Sequence, residues 1–230
     1  MRVAINGACG RMGQTVGRLA GEEKIEVAAA IDANHVGEDS GFGPKIARNL
    51  ESKVDVVIDF STPDAALERL EECLRLGVPI VVCTTGFSPD QDQKLRAASK
   101  RIPVLLSSNM SFGMNLLFKV VPEIAAKLGP GYDLDIVETH HRFKKDAPSG
   151  TAKTLASRIE GATGRKVTVA AVRSGDVVGE HRVVLGTLGE SIEITHRASS
   201  RDLFARGALR AAEFLAKAKP GMYSMLDVVG

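Results

Sequence analysis

A short apolar run that leads into a glycine-rich loop opens the chain, where residues 2–13 read RVAINGACGRMG. The apolar part has the form of a strand buried on both faces. Glycines at positions 7, 10 and 13 let the backbone turn tightly and approach a pyrophosphate, and the helix that begins here offers free N–H groups and a positive dipole end. The G-x-x-G-x-x-G spacing departs from G-x-G-x-x-G, so an ordinary strand-to-helix turn is the alternative.

Strand-like and helix-like segments alternate through the first half of the chain. Short apolar runs are typical of buried parallel strands, and the segments between them carry helical spacing. The predicted strands are Arg2–Asn6, Ile25–Ile31, Val54–Phe60, Ile80–Cys83 and Val104–Leu106, and the predicted helices are Arg11–Glu22, Asp64–Leu76 and Ser88–Lys100. This alternation predicts an α/β fold with a Rossmann-like, doubly wound parallel sheet. The segment Ala33–Lys53 fits neither pattern and is not assigned.

Several residues at the carboxyl ends of these strands are candidates for cofactor contact, because ligands bind at that edge of open α/β sheets. Asp32 ends the second strand about 20 residues past the last glycine, where a carboxylate can accept the adenosine ribose hydroxyls. The other candidates are Gly7, Ala8, Cys9, Gly10, Arg11, Met12, Cys83, Thr84, Thr85, Ser107, Ser108, Asn109 and Met110. The alternative for the residues of the two later loops is that they only form turns, in which Gly, Ser, Thr and Asn are common without any ligand. The alternative for Asp32 is an acidic residue that ends a strand at the protein surface.

After Asn109 the pattern changes and predicts a second, α+β domain. Helices are expected at Leu116–Leu128, which Gly129 ends, and at about 150–160. The predicted strands are Leu134–Thr139, Val167–Arg173, Arg182–Thr187 and Ser191–Arg197. We expect a dinucleotide-binding domain at residues 1–108, a second domain at 109–201, and a last segment, 202–230, that begins with a helix over Asp202–Leu215 and folds back onto the first domain.

The densest polar cluster is ETHHRFKKDAPSGT, at residues 138–151. Ser149 is a good helix N-cap, so the N–H groups of Gly150 and Thr151 would face an anion, and a small carboxylate substrate is implied. Histidine and lysine can both transfer protons near neutral pH. A zinc site is disfavoured because His140 and His141 are adjacent and lack HxxxH spacing or a cysteine partner, so we expect no metal. A solvated charged surface is the remaining alternative.

Composition excludes several functional classes. The 230 residues carry 30 basic and 28 acidic side chains, a net charge of +2, which provides no field for nucleic acid or an anionic membrane. No Trp and only ten aromatic residues are present, so stacking platforms for single strands are scarce. The three cysteines lack CxxC spacing, and no secretory signal or membrane-spanning run is visible. We therefore expect a cytoplasmic protein with no nucleic-acid or membrane partner.

Taken together, these motifs resemble the dihydrodipicolinate reductase family of the lysine and diaminopimelate pathway. The resemblance covers essentially the whole chain, and its most specific part is HHxxKxDAPSGTA, from His140 to Ala152. Further matching segments are Gly7–Gly13, Asp59–Ser61, Thr84–Gly86, Asn109–Asn115, Arg173–Asp176, Gly179–His181 and Glu193–Arg201.

The resemblance implies roles for individual residues. His140 would be the catalytic acid/base and Lys144 the proton donor. The dicarboxylate substrate would be bound by residues His141, Ser149, Gly150 and Thr151. Hydride from NADH or NADPH would reduce the dehydrated form of 4-hydroxy-tetrahydrodipicolinate to tetrahydrodipicolinate. The second domain would bind substrate and assemble a homotetramer.

Two departures from the family pattern concern the cofactor. Many members carry Arg after the acid at position 32, where this chain has Ala33, and they often carry Gly at the position of Cys83. The Asp32 carboxylate repels the 2′-phosphate of NADPH, so we expect NADH to be preferred and NADPH to be possible.

Two other functions remain open from the residues alone. One is a different two-domain nicotinamide oxidoreductase acting on an acidic small molecule such as aspartate or an imino acid. The other is a nucleotide sensor that keeps the fold without catalysis. The histidine and lysine next to an anion-binding helix start favour the reductase over both.

Overall fold

The computed structural model describes residues 1–51 and 53–230. They form two compact units: unit one is Met1–Phe112 with Asp202–Gly230, and unit two is Gly113–Arg201. The strands are β1 (Arg2–Asn6), β2 (Glu26–Ile31), β3 (Ile46–Ala47), β4 (Val56–Asp59), β5 (Ile80–Val82), β6 (Pro103–Leu106), β7 (Asp133–His140), β8 (Thr168–Arg173), β9 (Gly179–Thr187), β10 (Glu190–Ala198) and β11 (Gly221–Tyr223). The helices are α1 (Arg11–Glu22), α2 (Pro63–Leu76), α3 (Pro89–Ala98), α4 (Phe112–Leu128), α5 (Gly150–Thr163), α6 (Asp202–Leu215) and α7 (Met225–Val229).

Unit one is built on a seven-stranded parallel sheet in the order β11-β6-β5-β4-β1-β2-β3. Helices α1 and α6 pack on one face, where Val16 and Leu209 are buried against strand residues such as Ile5. Helices α2 and α3 pack on the other face, where Leu70 and Leu95 are fully or almost fully buried. The predicted doubly wound α/β fold is confirmed, and each strand and helix predicted before residue 107 lies within two residues of its predicted bounds.

Local sequence signals explain where the helices of unit one begin and end. The side chain of Thr62 accepts the N–H of Ala65 at the start of α2, and Gly77 ends that helix in the left-handed region at φ +67°. Ser88 and Gln91 form a capping box at the start of α3. Thr62 and Ser88 are therefore the N-caps of α2 and α3.

The C-terminal tail lies in unit one. Strand β11 pairs in parallel with β6, with Met222 opposite Val104. In the unassigned segment Ala33–Lys53, the structure shows β3 at the sheet edge, paired with the end of β2. A two-residue strand carries no periodicity from which to predict it. Ser52, in the same segment, lies outside the described residues.

Unit two has a mixed four-stranded sheet in the order β10-β9-β7-β8, in which β7 and β8 are parallel and the other pairs are antiparallel. One face packs against α5, with Ile136 and Leu185 buried opposite a helix face that includes Leu155. Strand β9 begins at Gly179, three residues before the predicted Arg182, because polar residues there pair with β7 and β10 although they show no apolar alternation.

Within the described part of the chain, no helix combines the length and the apolar character needed to span a membrane.

Candidate active site

The glycine loop in unit one fits closely against neighbouring backbone. Gly7 has a φ of +81°, and a Cβ there would lie 2.5 Å from the carbonyl oxygen of Phe60. A Cβ at Gly13 would lie 2.2 Å from the Gly7 oxygen. The N-cap of α1, Gly10, makes no side-chain capping bond, and the first turn carries no acidic residue. The loop therefore leaves a helix N-terminus open toward an anion, in a form that only glycine permits.

Asp32 lies beside this loop, as the sequence predicted from its position. One carboxylate oxygen accepts the N–H of Cys9 at 3.0 Å and the other accepts the N–H of Asn34 at 3.0 Å. Each oxygen keeps a further lone pair for another donor. Burial, followed by the charge of Asp32, raises the pKa of the Cys9 thiol. Cys9 thus stays protonated and contributes to the loop through its backbone.

A buried polar network joins the ends of β1, β4 and β5. The Asp59 carboxylate is fully buried and accepts hydrogen bonds from Asn6 Nδ2 at 2.7 Å, Ser61 Oγ at 2.5 Å and Thr84 Oγ1 at 2.7 Å. Burial raises the pKa of Asp59, and these hydrogen bonds oppose that shift. Sequence reasoning assigned no role to this network, although the polar residues that end three adjacent strands were its signal.

Among the remaining cofactor candidates of unit one, some have side chains that are engaged or buried within the protein, and others form a hydrogen-bonded turn. The Thr84 hydroxyl is engaged with Asp59, and the side chains of Cys83 and Met110 are buried in the core. These three residues could meet a cofactor only through their backbones. Ser107 Oγ donates to the Asn109 carbonyl at 3.0 Å, and Asn109 Oδ1 accepts the N–H of Ser111 at 2.9 Å, so this turn is held in a defined shape.

In unit two, the cluster predicted from sequence is organised by a buried carboxylate. Glu138 is fully buried on β7, and we call it and the three residues that donate to it the Glu138 clamp. Glu138 Oε2 lies 2.5 Å from His140 Nδ1 and accepts Arg173 Nη1 at 2.9 Å. Glu138 Oε1 accepts Arg173 Nη2 at 2.8 Å and the N–H of Ser149 at 3.0 Å. The clamp therefore joins β7, β8 and the start of α5.

The protonation states of the clamp follow from these contacts. Burial alone would raise the pKa of Glu138, but the hydrogen bonds from Arg173, His140 and the Ser149 backbone together hold that pKa below its ordinary value. Burial lowers the pKa of His140, as do the charges of Lys144 and Arg173, while Glu138 opposes the shift. His140 is thus neutral near pH 7 beside an ionised Glu138.

The predicted proton donor and anion site lie close along the chain to the clamp. Lys144 Nζ pairs with Asp146 at 2.8 Å, and Arg173 Nη2 donates to the Asp146 carbonyl at 2.5 Å. Ser149 Oγ accepts the N–H of Ala152 at 3.1 Å, so the predicted cap of α5 is confirmed. Gly150 and Thr151 therefore form the first turn of that helix. Among the described residues, the buried Nδ1 of His141 has no hydrogen-bond partner.

Two residues without a predicted role complete the site. Arg173 ends β8, and its pairing with Glu138 could be inferred only once β7 and β8 were known to be parallel neighbours. His181 lies with its ring 5.2 Å from that of His140, and its Nε2 is 3.1 Å from Ser149 Oγ. Burial, and then the charge of His140, lowers the pKa of His181 to about 4. In the described parts of the chain, no group of three or more His, Cys, Asp or Glu residues could hold a metal ion.

Comparisons with known proteins match both units. The family model described as dihydrodipicolinate reductase, N-terminus, matches residues 1–110, and its C-terminal counterpart matches residues 113–229. The 4-hydroxy-tetrahydrodipicolinate reductase of Citrifermentans bemidjiense is 39% identical over 264 aligned positions, which cover 100% of this chain and 99% of the relative. The reductase of the same name from Anaeromyxobacter sp. is 41% identical, with coverage of 100% and 98%.

A solved structure extends the similarity to the fold. The dipicolinate-bound dihydrodipicolinate reductase from Paenisporosarcina sp. TG-14 superposes with a TM-score of 0.84 at 26% identity, covering 99% of this chain and 98% of that one. Sequence and fold thus agree with the resemblance predicted from the motif at His140, and the chain belongs to the dihydrodipicolinate reductase family.

Proposed function

We propose that this chain uses NAD(P)H to reduce the dehydrated form of 4-hydroxy-tetrahydrodipicolinate to tetrahydrodipicolinate, in lysine and diaminopimelate biosynthesis. The observation that carries the proposal is the Glu138 clamp, which places a neutral histidine beside the capped start of α5. A reductase of a cyclic dicarboxylate needs an anion site and a proton-transfer group next to each other, and unit two supplies both.

Unit one is the proposed dinucleotide-binding domain. The nicotinamide cofactor, when bound, supplies the hydride. The open N-terminus of α1 would hold the pyrophosphate, because Gly7 and Gly13 bring the backbone close where side chains would clash. Asp32 would accept the adenosine ribose hydroxyls with the lone pairs that Cys9 and Asn34 leave free. The turns at 83–85 and 107–110 would line the same edge of the sheet.

Unit two is the proposed substrate domain. Gly150 and Thr151 would direct backbone N–H groups at one substrate carboxylate from the start of α5, whose cap is Ser149. His141, a partly exposed residue of the same segment, is the further proposed substrate contact. The relative from Paenisporosarcina holds dipicolinate, a dicarboxylate of the same class, which supports this assignment.

His140 and Lys144 are the proposed proton-transfer residues. Hydride addition to a carbon–carbon double bond conjugated with an imine shifts an electron pair toward the imine nitrogen, and the resulting enamine must take up a proton on carbon. Lys144 carries protons on an ammonium group held by Asp146, and His140 can exchange a proton at Nε2. Together they would complete the addition of one hydride and one proton across the bond.

An assay with the purified chain tests the proposal. Pyruvate and aspartate semialdehyde are condensed by a synthase in the same cuvette, and oxidation of NADH or NADPH is followed by absorbance. We expect oxidation that depends on both precursors and on this chain. Oxidation with aspartate or another imino acid but none with the condensation product would instead support the alternative oxidoreductase, and nucleotide binding without any turnover would support the sensor.

NADH is the proposed preferred cofactor. The carboxylate of Asp32 would face the 2′-phosphate of NADPH, and two unit charges 4 Å apart repel by about 1 kcal/mol in water and about 4 kcal/mol near a protein surface. The next residue, Ala33, has no charge to relieve this, and His35 is paired with Glu38 at 3.2 Å. NADPH would remain usable at lower efficiency.

A homotetramer assembled through unit two is the proposed quaternary state. One face of its sheet is covered by α5, whereas Val137, Ala170, Val172 and Val184 lie on the other face. Val172 is 43% exposed there. A second copy of this sheet would bury these residues, and closed symmetry would complete the assembly. The three free cysteines suit a reducing cytoplasm, where we expect the enzyme to act.

A further inference from the structure

We infer that Glu138, held by Arg173, is a positioning residue that keeps the proton of the neutral His140 ring on Nδ1, leaves Nε2 as the nitrogen that exchanges protons, and fixes that ring relative to Lys144 and the start of α5. The inference deepens the proposed function and rests on it only for the catalytic consequence, since the position of the proton can be measured without substrate or cofactor.

The hydrogen-bond count around Glu138 determines the His140 tautomer. Both carboxylate oxygens accept from Arg173, Oε1 also accepts the Ser149 N–H, and Oε2 lies 2.5 Å from His140 Nδ1. An ionised carboxylate can only accept hydrogen bonds, so His140 Nδ1 must carry a proton. In the neutral ring, Nε2 is then bare and available for proton exchange.

Backbone packing leaves room at that nitrogen. Gly179 lies beside the ring, and a Cβ at this position would stand 3.0 Å from His140 Nε2. Any residue larger than glycine would therefore crowd the nitrogen that Glu138 leaves bare. Glu138 and Gly179 thus act on opposite sides of the ring, the first by fixing Nδ1 and the second by leaving Nε2 accessible.

Arg173 extends the clamp to the proposed proton donor. Its guanidinium compensates the charge of a fully buried Glu138 and also donates to the carbonyl of Asp146. The Asp146 carboxylate in turn pairs with Lys144. The Glu138 clamp therefore holds His140 directly, Lys144 through Asp146, and the start of α5 through the Ser149 N–H. One buried carboxylate sets the relative positions of all three.

The charged groups around His140 determine how its pKa should change when Glu138 is replaced. Lys144 in the following loop, Arg173 on β8 and His181 on β9 face it, and His196 on β10 lies beyond His181. All of these are cationic or neutral, so Glu138 is the group that favours the protonated ring. Replacing Glu138 by Gln should move the pH limb that belongs to His140 toward lower pH.

The first test is nitrogen NMR of ¹⁵N-histidine-labelled protein without substrate or cofactor. The resonances of His140 are assigned with the variant His140→Gln. In the unmodified chain we expect a protonated Nδ1 and a bare Nε2 at pH 8, and in Glu138→Gln we expect a mixture of the two tautomers. A proton found on Nε2 in the unmodified chain, or an unchanged tautomer in Glu138→Gln, would overturn the inference.

The second test is kinetic and separates positioning from a merely structural role. A buried carboxylate that fixes a catalytic histidine contributes on the order of 10²–10⁴-fold to kcat, so Glu138→Gln should lower kcat by that factor, raise KM much less and shift the pH limb. Glu123→Gln, on the exposed side of α4, is the matched control and should change neither. An unaltered kcat and pH profile in folded Glu138→Gln would refute the role.

The variant Glu138→Asp keeps the test decisive if Glu138→Gln fails to fold. Aspartate retains the charge opposite Arg173 but is one methylene too short to keep every contact of the clamp. We expect a folded protein, by circular dichroism, that shows the mixed tautomer and the lowered kcat. A folded Glu138→Asp with the original tautomer and full activity would contradict the inference. If the unmodified chain shows the expected tautomer but no reductase activity, the proposed function fails and the positioning of His140 stands.

Discussion

His140 meets an acidic partner at one ring nitrogen and glycine backbone at the other, and this asymmetry suits a residue that exchanges a proton on one side only. Replacing His140 by Gln or Lys144 by Ala should lower kcat by roughly 10²–10⁴-fold, because each removes a positioned proton-transfer group. Nucleotide affinity, measured by titration calorimetry, should barely change, since the proposed cofactor residues lie in unit one. Near-normal turnover in either variant would contradict the assignment.

His181 makes stability depend on pH. Burial holds its pKa at about 4 in the folded chain, below the ordinary 6.5 that it regains on unfolding. The unfolded state therefore binds a proton first as pH falls. The contribution of neutral His181 to the free energy of unfolding should be fully present above pH 6.5 and should fall by roughly 3 kcal/mol between about pH 6.5 and 4. Urea unfolding should show a steeper loss of stability between about pH 6.5 and 4 in the unmodified chain than in His181→Asn, in which His140 and His196, whose pKa values burial also lowers, still contribute. Equal slopes in both would refute the prediction.

Asp32 provides the test of cofactor preference. We expect the kcat/KM for NADH to exceed that for NADPH by roughly 10-fold, the low end of the repulsion between the carboxylate and the 2′-phosphate. Replacing Asp32 by Ser together with Ala33 by Arg should move the preference toward NADPH. A higher kcat/KM for NADPH in the unmodified chain would mean that Asp32 does not face the ribose, or that another basic residue such as Arg11 overrides its charge.

The α1 helix offers a matched pair of glycines for testing the loop. A Cβ at Gly13 would meet backbone at 2.2 Å, whereas nothing lies within 4 Å of one at Gly21. Gly13→Ala should weaken nucleotide binding at least about 10-fold. The added methyl group would strain the glycine loop, and about 1–2 kcal/mol of strain in the binding conformation corresponds to a loss of affinity of that size. Gly21→Ala should leave binding unchanged and stabilise the helix by about 0.5–1 kcal/mol. Calorimetry and thermal melting measure both, and equal binding in the two variants would contradict the cradle.

Elements with strong periodicity were predictable, and polar pairings across strands were not. The bounds of α1 and α6 agree with the prediction to the residue, because the apolar face of each helix and the residues that flank it define where it begins and ends. The site cluster at 138–151 was found from its charge and its Ser149 cap. The partnership of Glu138 with Arg173 was not, since the two are 35 residues apart and meet only through the parallel pairing of β7 with β8. The inward side chain of Cys83 likewise depends on packing.

The oligomeric state of the whole molecule is testable by light scattering. Four copies of a 24.4 kDa chain are expected at micromolar concentration. Val172→Asp, on the sheet face of unit two opposite α5, should reduce the mass by placing a charge in the apolar contact. Val36→Asp, at an exposed position of unit one, is the control and should not. A mass near that of one chain for the unmodified protein would contradict assembly through this face.

Direct transfer of hydride from the nucleotide to a carbon of the substrate is the central claim, and unit one is the proposed site of the nucleotide and unit two that of the substrate. Turnover with NADH carrying deuterium at both C4 positions, in ordinary water, tests it most directly by mass spectrometry of the product. We predict tetrahydrodipicolinate with one deuterium from the nucleotide and one proton supplied through the protein. Product without deuterium, or oxidised nucleotide without labelled tetrahydrodipicolinate, would contradict the account.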